Sequence, residues 1–239
     1  PPQQWLDARI ITLFKKGSRV TPENYRGVAL TSCHGKVHAR IVKDILTSRF
    51  PLHSPGQRAE GINCGTHFAI HNLRVWQQHQ RRAKRSYGIL FIDMTKAYDR
   101  VRRQCSFGED GCLAAQGIDS HFINLLAKWY DEAEILHGVG GGRTVRLTAT
   151  RGLRQGCPLA AHLFNRVMHH LMSSLASATD ENDRPLLFNR GSNLVLDPQG
   201  DGQQAYVDDW VLCVTGPCPS RVVAQAKRVL SGVARIANT

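Results

Sequence analysis

Apolar positions along the chain fall into short runs of two periods, and the period decides which element each run predicts. Ala8 to Phe14 (ARIITLF) is a β-rich run. Lys15, Lys16 and Gly17 follow it, and apolar character resumes at Val28 to Leu30 after Pro22 and Asn24, the pattern of a hairpin with a long basic tip. Val37, Ile41, Ile45 and Leu46 recur at helical spacing, and Phe68 to Trp76 gives a second helix. Gln77 to Arg85, with Arg81, Arg82, Lys84 and Arg85, reads as a polar connection. Gly88 to Asp93 (GILFID) is a continuous apolar run ending in a carboxylate, as expected for a buried central strand whose end opens into a cleft.

Further along, Phe122, Leu125, Leu126 and Trp129 mark another helix, and Gly138 to Gly142 is a flexible turn leading to the strand-like Thr144 to Thr150. That glycine run is a weak phosphate-binding signal, because no helix opening with Lys-Ser or Lys-Thr follows it. Pro158 opens a helix with Leu159, Leu163, Val167 and Leu171 on one face, proline being tolerated in the first turn. Ala205 to Val214 (AYVDDWVLCV) flanks two adjacent aspartates with apolar residues, a hairpin with the carboxylates at its turn. Val222 to Thr239 reads as a last helix that stops without a cap.

The composition, 42% hydrophobic and 21% charged over 239 residues, is that of a globular chain long enough for a substantial core or two joined subdomains. Charge narrows the picture. Lys plus Arg is 31 against 19 for Asp plus Glu, a net charge of +12, and its simplest consequence is attraction to a polyanion. No stretch of about 18 consecutive apolar residues occurs, and Pro1-Pro2-Gln3-Gln4 lacks the features of a signal peptide, so an intracellular protein without a membrane span is expected. Seven scattered cysteines do not make a disulfide framework and are expected to be reduced. Cys64, His67 and His71 would share a helix face, but with no second ligand pair at zinc-site spacing a structural or solvent-facing role is expected. The absence of an initiator Met suggests a fragment of something longer.

Four aspartates stand out because each is embedded in apolar sequence: Asp93 and Asp99 in FIDMTKAYD, and Asp208 and Asp209 in YVDD. Burying carboxylates is costly unless they pair with cations or bind metal. Hard oxygen donors suit Mg²⁺ or Mn²⁺, and two such ions about 4 Å apart bind both the attacking and the leaving oxygen of a phosphoryl transfer. With Asp93 at a strand end and Asp208 on a hairpin turn, adjacent antiparallel strands would bring them together. An Asp-Asp pair alone is equally a solvated turn.

Order and company decide between these readings. FIDMTKAYDRV (Phe91 to Val101) resembles the first palm motif of non-LTR reverse transcriptases, RGLRQGCPL (Arg151 to Leu159) their second, and AYVDD their aspartate-pair motif. NYRGVALTSCHGKVHARIV (Asn24 to Val42), preceded by LFKKG, resembles the fingers segment of the same family, and all occur in the family's order. Departures are Gly27 where many relatives have proline, Ala160-Ala161 for a Ser-Pro pair, and Val207 for an alanine. None removes a metal ligand.

The resemblance implies an α+β fold, the fingers and palm of a right-hand polymerase, with the palm an antiparallel sheet backed by helices and the thumb missing. Its expected division is fingers 1–86, palm 87–111, a connection 112–150, and palm again 151–239. It implies Asp93, Asp208 and Asp209 as catalytic metal ligands for two Mg²⁺ ions, with Mn²⁺ as substitute. Asp99 would be metal-proximal or structural. Arg26, Lys15, Lys16, Tyr98, Gln155 and Gly156 would bind the incoming deoxynucleotide, a guanidinium suiting bidentate phosphate contact and glycine allowing close backbone approach. Cys157 is expected to pack. Arg81, Arg82, Lys84, Arg85 and Arg100, with Arg102 and Arg103, would contact template and primer phosphates without sequence preference.

The implied activity is RNA-directed DNA synthesis in retrotransposition, on an RNA template and a DNA primer, in a nuclear protein linked to an endonuclease domain. A group II intron maturase and a decayed, RNA-binding remnant are the competing readings. The oligomeric state is not legible.

Overall fold

The computed structural model describes residues 1–52, 54, 56–60, 64–138, 143–187, 196–198 and 200–238. In chain order these form α1 (Gln3–Leu6), β1 (Ala8–Phe14), β2 (Tyr25–Thr31), α2 (Cys33–Arg49), α3 (Thr66–Arg82), β3 (Ser86–Ile92), α4 (Ala97–Arg100) and α5 (Arg103–Phe107). There follow α6 (Cys112–Ala115), α7 (Ser120–Asp131), β4 (Ile135–Gly138), β5 (Thr144–Leu147), α8 (Pro158–Ser177), β6 (Gly202–Tyr206), β7 (Asp209–Gly216) and α9 (Pro219–Asn238). The chain folds into two compact units, Pro1–Leu52 with Lys96–Phe164, and His53–Thr95 with Asn165–Thr239. Residues 53–86 share a unit with β3, β6 and β7, and residues 96–111 belong to the other.

The first unit is built on a mixed sheet of order β2-β1-β4-β5. The expected basic-tipped hairpin is present, β1 pairing antiparallel with β2 from Ala8↔Thr31 to Phe14↔Tyr25. β4, not anticipated, pairs parallel with β1, and β5 pairs antiparallel with β4. Ser32 caps α2 by accepting from the Gly35 amide at 3.0 Å, and Asp119 caps α7 by accepting from Phe122 at 2.8 Å. The buried face of α2 is Gly35, Ala39, Val42 and Leu46, whereas Val37, Ile41 and Ile45 are exposed. These three share one face, roughly opposite the buried one, so the helical period locates the helix and not the side that packs. In α8, Leu159 and Leu163 are buried as expected, together with Met168, Met172 and Leu175, whereas Val167 and Leu171 are half-buried. The glycine turn expected at 138–142 lies, beyond Gly138, outside the described residues.

The second unit carries an antiparallel sheet of order β3-β7-β6. β7 is the central strand; β3 is an edge strand, half-buried along most of its length, with Phe91 72% exposed. A continuous apolar run does not distinguish a central strand from an edge strand covered on one face. Residues 77–82, expected as a polar connection, instead complete α3, since Gln and Arg are good helix formers and Trp76 and Gln80 give that turn a buried face. Trp76 packs edge-on against Tyr87 of β3 with centroids 5.5 Å apart. β6 is polar yet buried. Gln203 donates to the Met172 carbonyl at 2.7 Å and accepts from the Trp210 indole at 3.0 Å, and Gln204 donates to the Ala69 carbonyl at 2.9 Å. Gln203, with both ends of its amide engaged, ties the sheet to α8, and the Gln204 amide N–H ties it to α3.

None of the seven cysteines, all among the described residues, is in a disulfide. Among the described residues no helix is long and apolar enough to cross a membrane.

Candidate active site

The last pair of the β3–β7 ladder is Ile92↔Trp210, so one residue beyond it Asp93 stands opposite Asp209. The β6–β7 hairpin closes on Tyr206↔Asp209, which leaves Val207 and Asp208 as its two loop residues. Asp93 and the Asp208-Asp209 pair therefore meet at one end of two adjacent antiparallel strands, as expected from a strand end and a hairpin turn. Asp93 and Asp209 line a cavity of about 370 Å³ with Phe91, Tyr206, Ile70 and Leu73.

One premise is corrected. Asp93, Asp99 and Asp209 are exposed and Asp208 is only half-buried, so strand ends lift the carboxylates out of the apolar runs that carry them. Among the described residues no ion pair engages Asp93, Asp208 or Asp209, and no group of three His, Cys, Asp or Glu side chains stands at metal-binding spacing. The donor set is thus hard, anionic and uncommitted, and smaller than a closed protein cage. That fits Mg²⁺, which is held by one or two carboxylates while phosphates and water complete its octahedron. Cys64, by contrast, is engaged with the Glu60 carbonyl at 3.0 Å.

The residues expected at the nucleotide lie in the first unit. Arg26 is exposed on β2 opposite Leu13, and the Lys15 amide donates to the Asn24 carbonyl at 2.8 Å, so Lys15, Lys16 and Arg26 share the hairpin tip. Farther along β2, the Ala29 amide donates to the Gln155 carbonyl at 2.7 Å. Gly156 follows with φ +103°, and a Cβ there would lie 2.6 Å from the Ala29 carbonyl oxygen, so this approach requires glycine. Tyr98 stacks on buried Phe164 at 4.6 Å, and its carbonyl accepts from the Leu153 amide at 2.7 Å. Gly152 (φ +89°) packs on the main chain of Asp99 and donates to the Val101 carbonyl at 2.8 Å. Main-chain bonds thus hold the segment 98–101, the loop 152–156 and β2 as one scaffold.

Two arginines have roles the sequence did not disclose. Arg154 is buried and donates to the carbonyls of Leu6 and Trp129. Arg103, expected to face nucleic acid, is also buried; it donates to the Gly152 carbonyl and pairs with Asp131 at 3.1 Å. Both guanidiniums lie over the Tyr130 ring, at 4.8 and 5.5 Å. Burial raises the Tyr130 phenol above its ordinary range and lowers Arg154. The one legible signal was position, since Arg154 directly follows Leu153 in a short loop whose glycines, Gly152 and Gly156, flank it on either side. Arg81, Arg82, Lys84, Arg85 and Arg100 are exposed, with Arg81 donating to the Tyr87 hydroxyl at 3.2 Å.

A three-stranded antiparallel sheet backed by helices, with carboxylates at the ends of neighbouring strands, defines a polymerase palm. The fold is shared with telomerase from Candida tropicalis (TM-score 0.60, 11% identity, covering 96% of this chain and 47% of that one). It is also shared with telomerase from Candida albicans in complex with a fragment of telomeric RNA (TM-score 0.56, 12% identity, 100% and 41%). The chain belongs to the reverse transcriptase (RNA-dependent DNA polymerase) family, whose model matches residues 14–237. Within it, the chain is similar to the retrovirus-related Pol polyprotein of the R2 retrotransposable element of Popillia japonica (28% identity over 179 residues, 74% of this chain and 24% of that protein). It is also similar to the transposon TX1 149 kDa protein of Xenopus laevis (30% over 154 residues, 64% and 12%). The chain spans about a quarter or less of these proteins' lengths.

Proposed function

We propose that the chain carries the nucleotidyl-transfer site of a non-LTR retrotransposon, extending a DNA primer along an RNA template. The observation that carries this reading is the strand register that sets Asp93 opposite Asp209 and beside Asp208. Asp93 and Asp208, with Asp209 next to them, would hold two Mg²⁺ ions, for which Mn²⁺ would substitute. Ions held there would supply Lewis acidity toward the primer 3′-hydroxyl and positive charge toward the departing pyrophosphate. Arg26, with Lys15 and Lys16 at the same hairpin tip, holds the triphosphate. Gln155 and Gly156 line the nascent base pair, and Tyr98, fixed by its stack on Phe164, lies against the sugar.

Arg81, Arg82, Lys84, Arg85 and Arg100 contact template and primer phosphates, which makes binding salt-sensitive. The relatives' names favour a transposon protein over an intron maturase, and their greater length leaves room for a linked endonuclease. Insertion into chromosomal DNA places such a protein in the nucleus. Primer extension on poly(rA)/oligo(dT) with Mg²⁺ or Mn²⁺ tests the reading. The wild type is expected to extend and Asp208→Ala to fall to background; extension by Asp208→Ala at the wild-type rate overturns it.

A further inference from the structure

The two-residue loop that carries Asp208 has the wrong first residue for its shape. Val207 has φ +58°, and of the four described non-glycine residues with left-handed φ it alone is β-branched. Asp208 is not among them. A positive φ at the first loop residue and not the second is the pattern of a II′ hairpin, which favours glycine at that first position. Something other than local preference therefore holds this turn.

The holding group is Gln57. Residues 56–58 run parallel beside the outer edge of β6, with the Ala205 amide donating to Gly56 at 2.8 Å and the Arg58 amide donating to Ala205 at 2.7 Å. Where β6 ends, the Gln57 side chain takes over from the backbone. Its Nε2 donates to the Val207 carbonyl at 3.2 Å, and its Oε1 accepts from the Val207 amide at 3.0 Å and from the Ala59 amide at 3.1 Å. Gln57 is 3% exposed. A carboxamide donates from one atom and accepts at another while staying neutral, which matches the N–H and C=O of a single residue. A lysine or arginine there would be drawn to the neighbouring carboxylates, and a glutamate would repel them.

We propose that Gln57 is a positioning residue for nucleotidyl transfer: its amide acts as a surrogate peptide group that locks Val207 in its left-handed conformation and so fixes Asp208 and Asp209. This rests on the function proposed above for the three aspartates, but the lock itself is measurable without activity.

The test compares Gln57→Leu, Val207→Gly and the double variant in the full-length protein, with amide exchange read by NMR beside primer extension. Gln57→Leu is expected to speed exchange at the Val207 amide by about tenfold or more while amides of β3 and β7 are unchanged. It should lower kcat on the order of 100-fold with the dNTP KM within about threefold, the mark of a displaced catalytic group. Adding Val207→Gly should return most of kcat, because glycine favours the turn unaided. Unchanged exchange at Val207 in Gln57→Leu overturns the proposal, as does a kcat loss that Val207→Gly does not relieve. Should Gln57→Leu fail to fold, isosteric Gln57→Glu, which exchanges the donor for a carboxyl that repels its acidic neighbours, must still release the Val207 carbonyl and lower kcat. A wild type that extends no primer sinks the polymerase reading, and Val207 exchange then decides the lock alone.

Discussion

The acidic hairpin and the loop from Arg151 to Cys157 are both tight reversals that carry site residues, yet they are fastened by opposite chemistries. The loop uses glycines where its backbone turns left-handed and two buried guanidiniums, Arg154 and Arg103, on main-chain carbonyls. The hairpin has a valine in the left-handed region and is fastened by a neutral amide from Gln57. A cation is compatible with a loop proposed to line the site of an anionic deoxynucleotide. Beside carboxylates that must accept metal ions, a fixed cation would compete for them, so a neutral fastener is the one that leaves the site open.

The contrast breaks if the two regions respond alike to substitution. The largest effect is expected at the carboxylates. Asp93→Asn or Asp208→Asn should each reduce primer extension by on the order of 1,000-fold, with thermal stability unchanged or slightly raised as like charges are removed. Arg154→Met should behave in reverse. Leaving the Leu6 and Trp129 carbonyls unpaired costs about 3 kcal/mol, and by calorimetry Tm should drop by roughly 6–12 °C, while the Mn²⁺ requirement stays as in the wild type. Equal losses of stability in both sets would erase the distinction.

Gly156→Ala sharpens it further. The new Cβ would sit 2.6 Å from the Ala29 carbonyl oxygen at φ +103°, a strain on the order of 1–3 kcal/mol. Steady-state kinetics should show it mainly as a raised dNTP KM. The smallest effect belongs to the exposed cations. Arg81→Gln or Arg82→Gln should each lower the salt slope of template binding by about one, uniformly across sequences, with kcat unchanged at saturating template.

Much of this was legible in the chain. The apolar run GILFID and the AYVDD segment with its apolar flanks located β3, the β6–β7 hairpin and the meeting of their aspartates, since a carboxylate at a strand end and another at a hairpin turn come together when the strands pair. The LFKKG and NYRGVAL runs located the β1–β2 hairpin with Lys15, Lys16 and Arg26 at its tip. What stayed hidden depends on tertiary partners. β6 is buried through Gln203 and Gln204, whose polarity masks a strand until the carbonyls they reach are known. Arg103 looked like one of several surface cations and is a buried fastener; Gln57 lies 150 residues from the turn it holds. The exposed stripe of Val37, Ile41 and Ile45 shows the converse, a helical period identifying the helix but not its buried face.

Central to this account is that Asp93 and the Asp208-Asp209 pair form one divalent-ion site. A Mn²⁺ titration followed by NMR examines it directly, because paramagnetic broadening registers even weak binding at the residues nearest the ion. Amides around Asp93 and those of 207–209 should broaden together at the same Mn²⁺ concentration, and Asp93→Asn should shift both sets to higher concentration. Broadening of one set without the other, or an unshifted titration in Asp93→Asn, would contradict it.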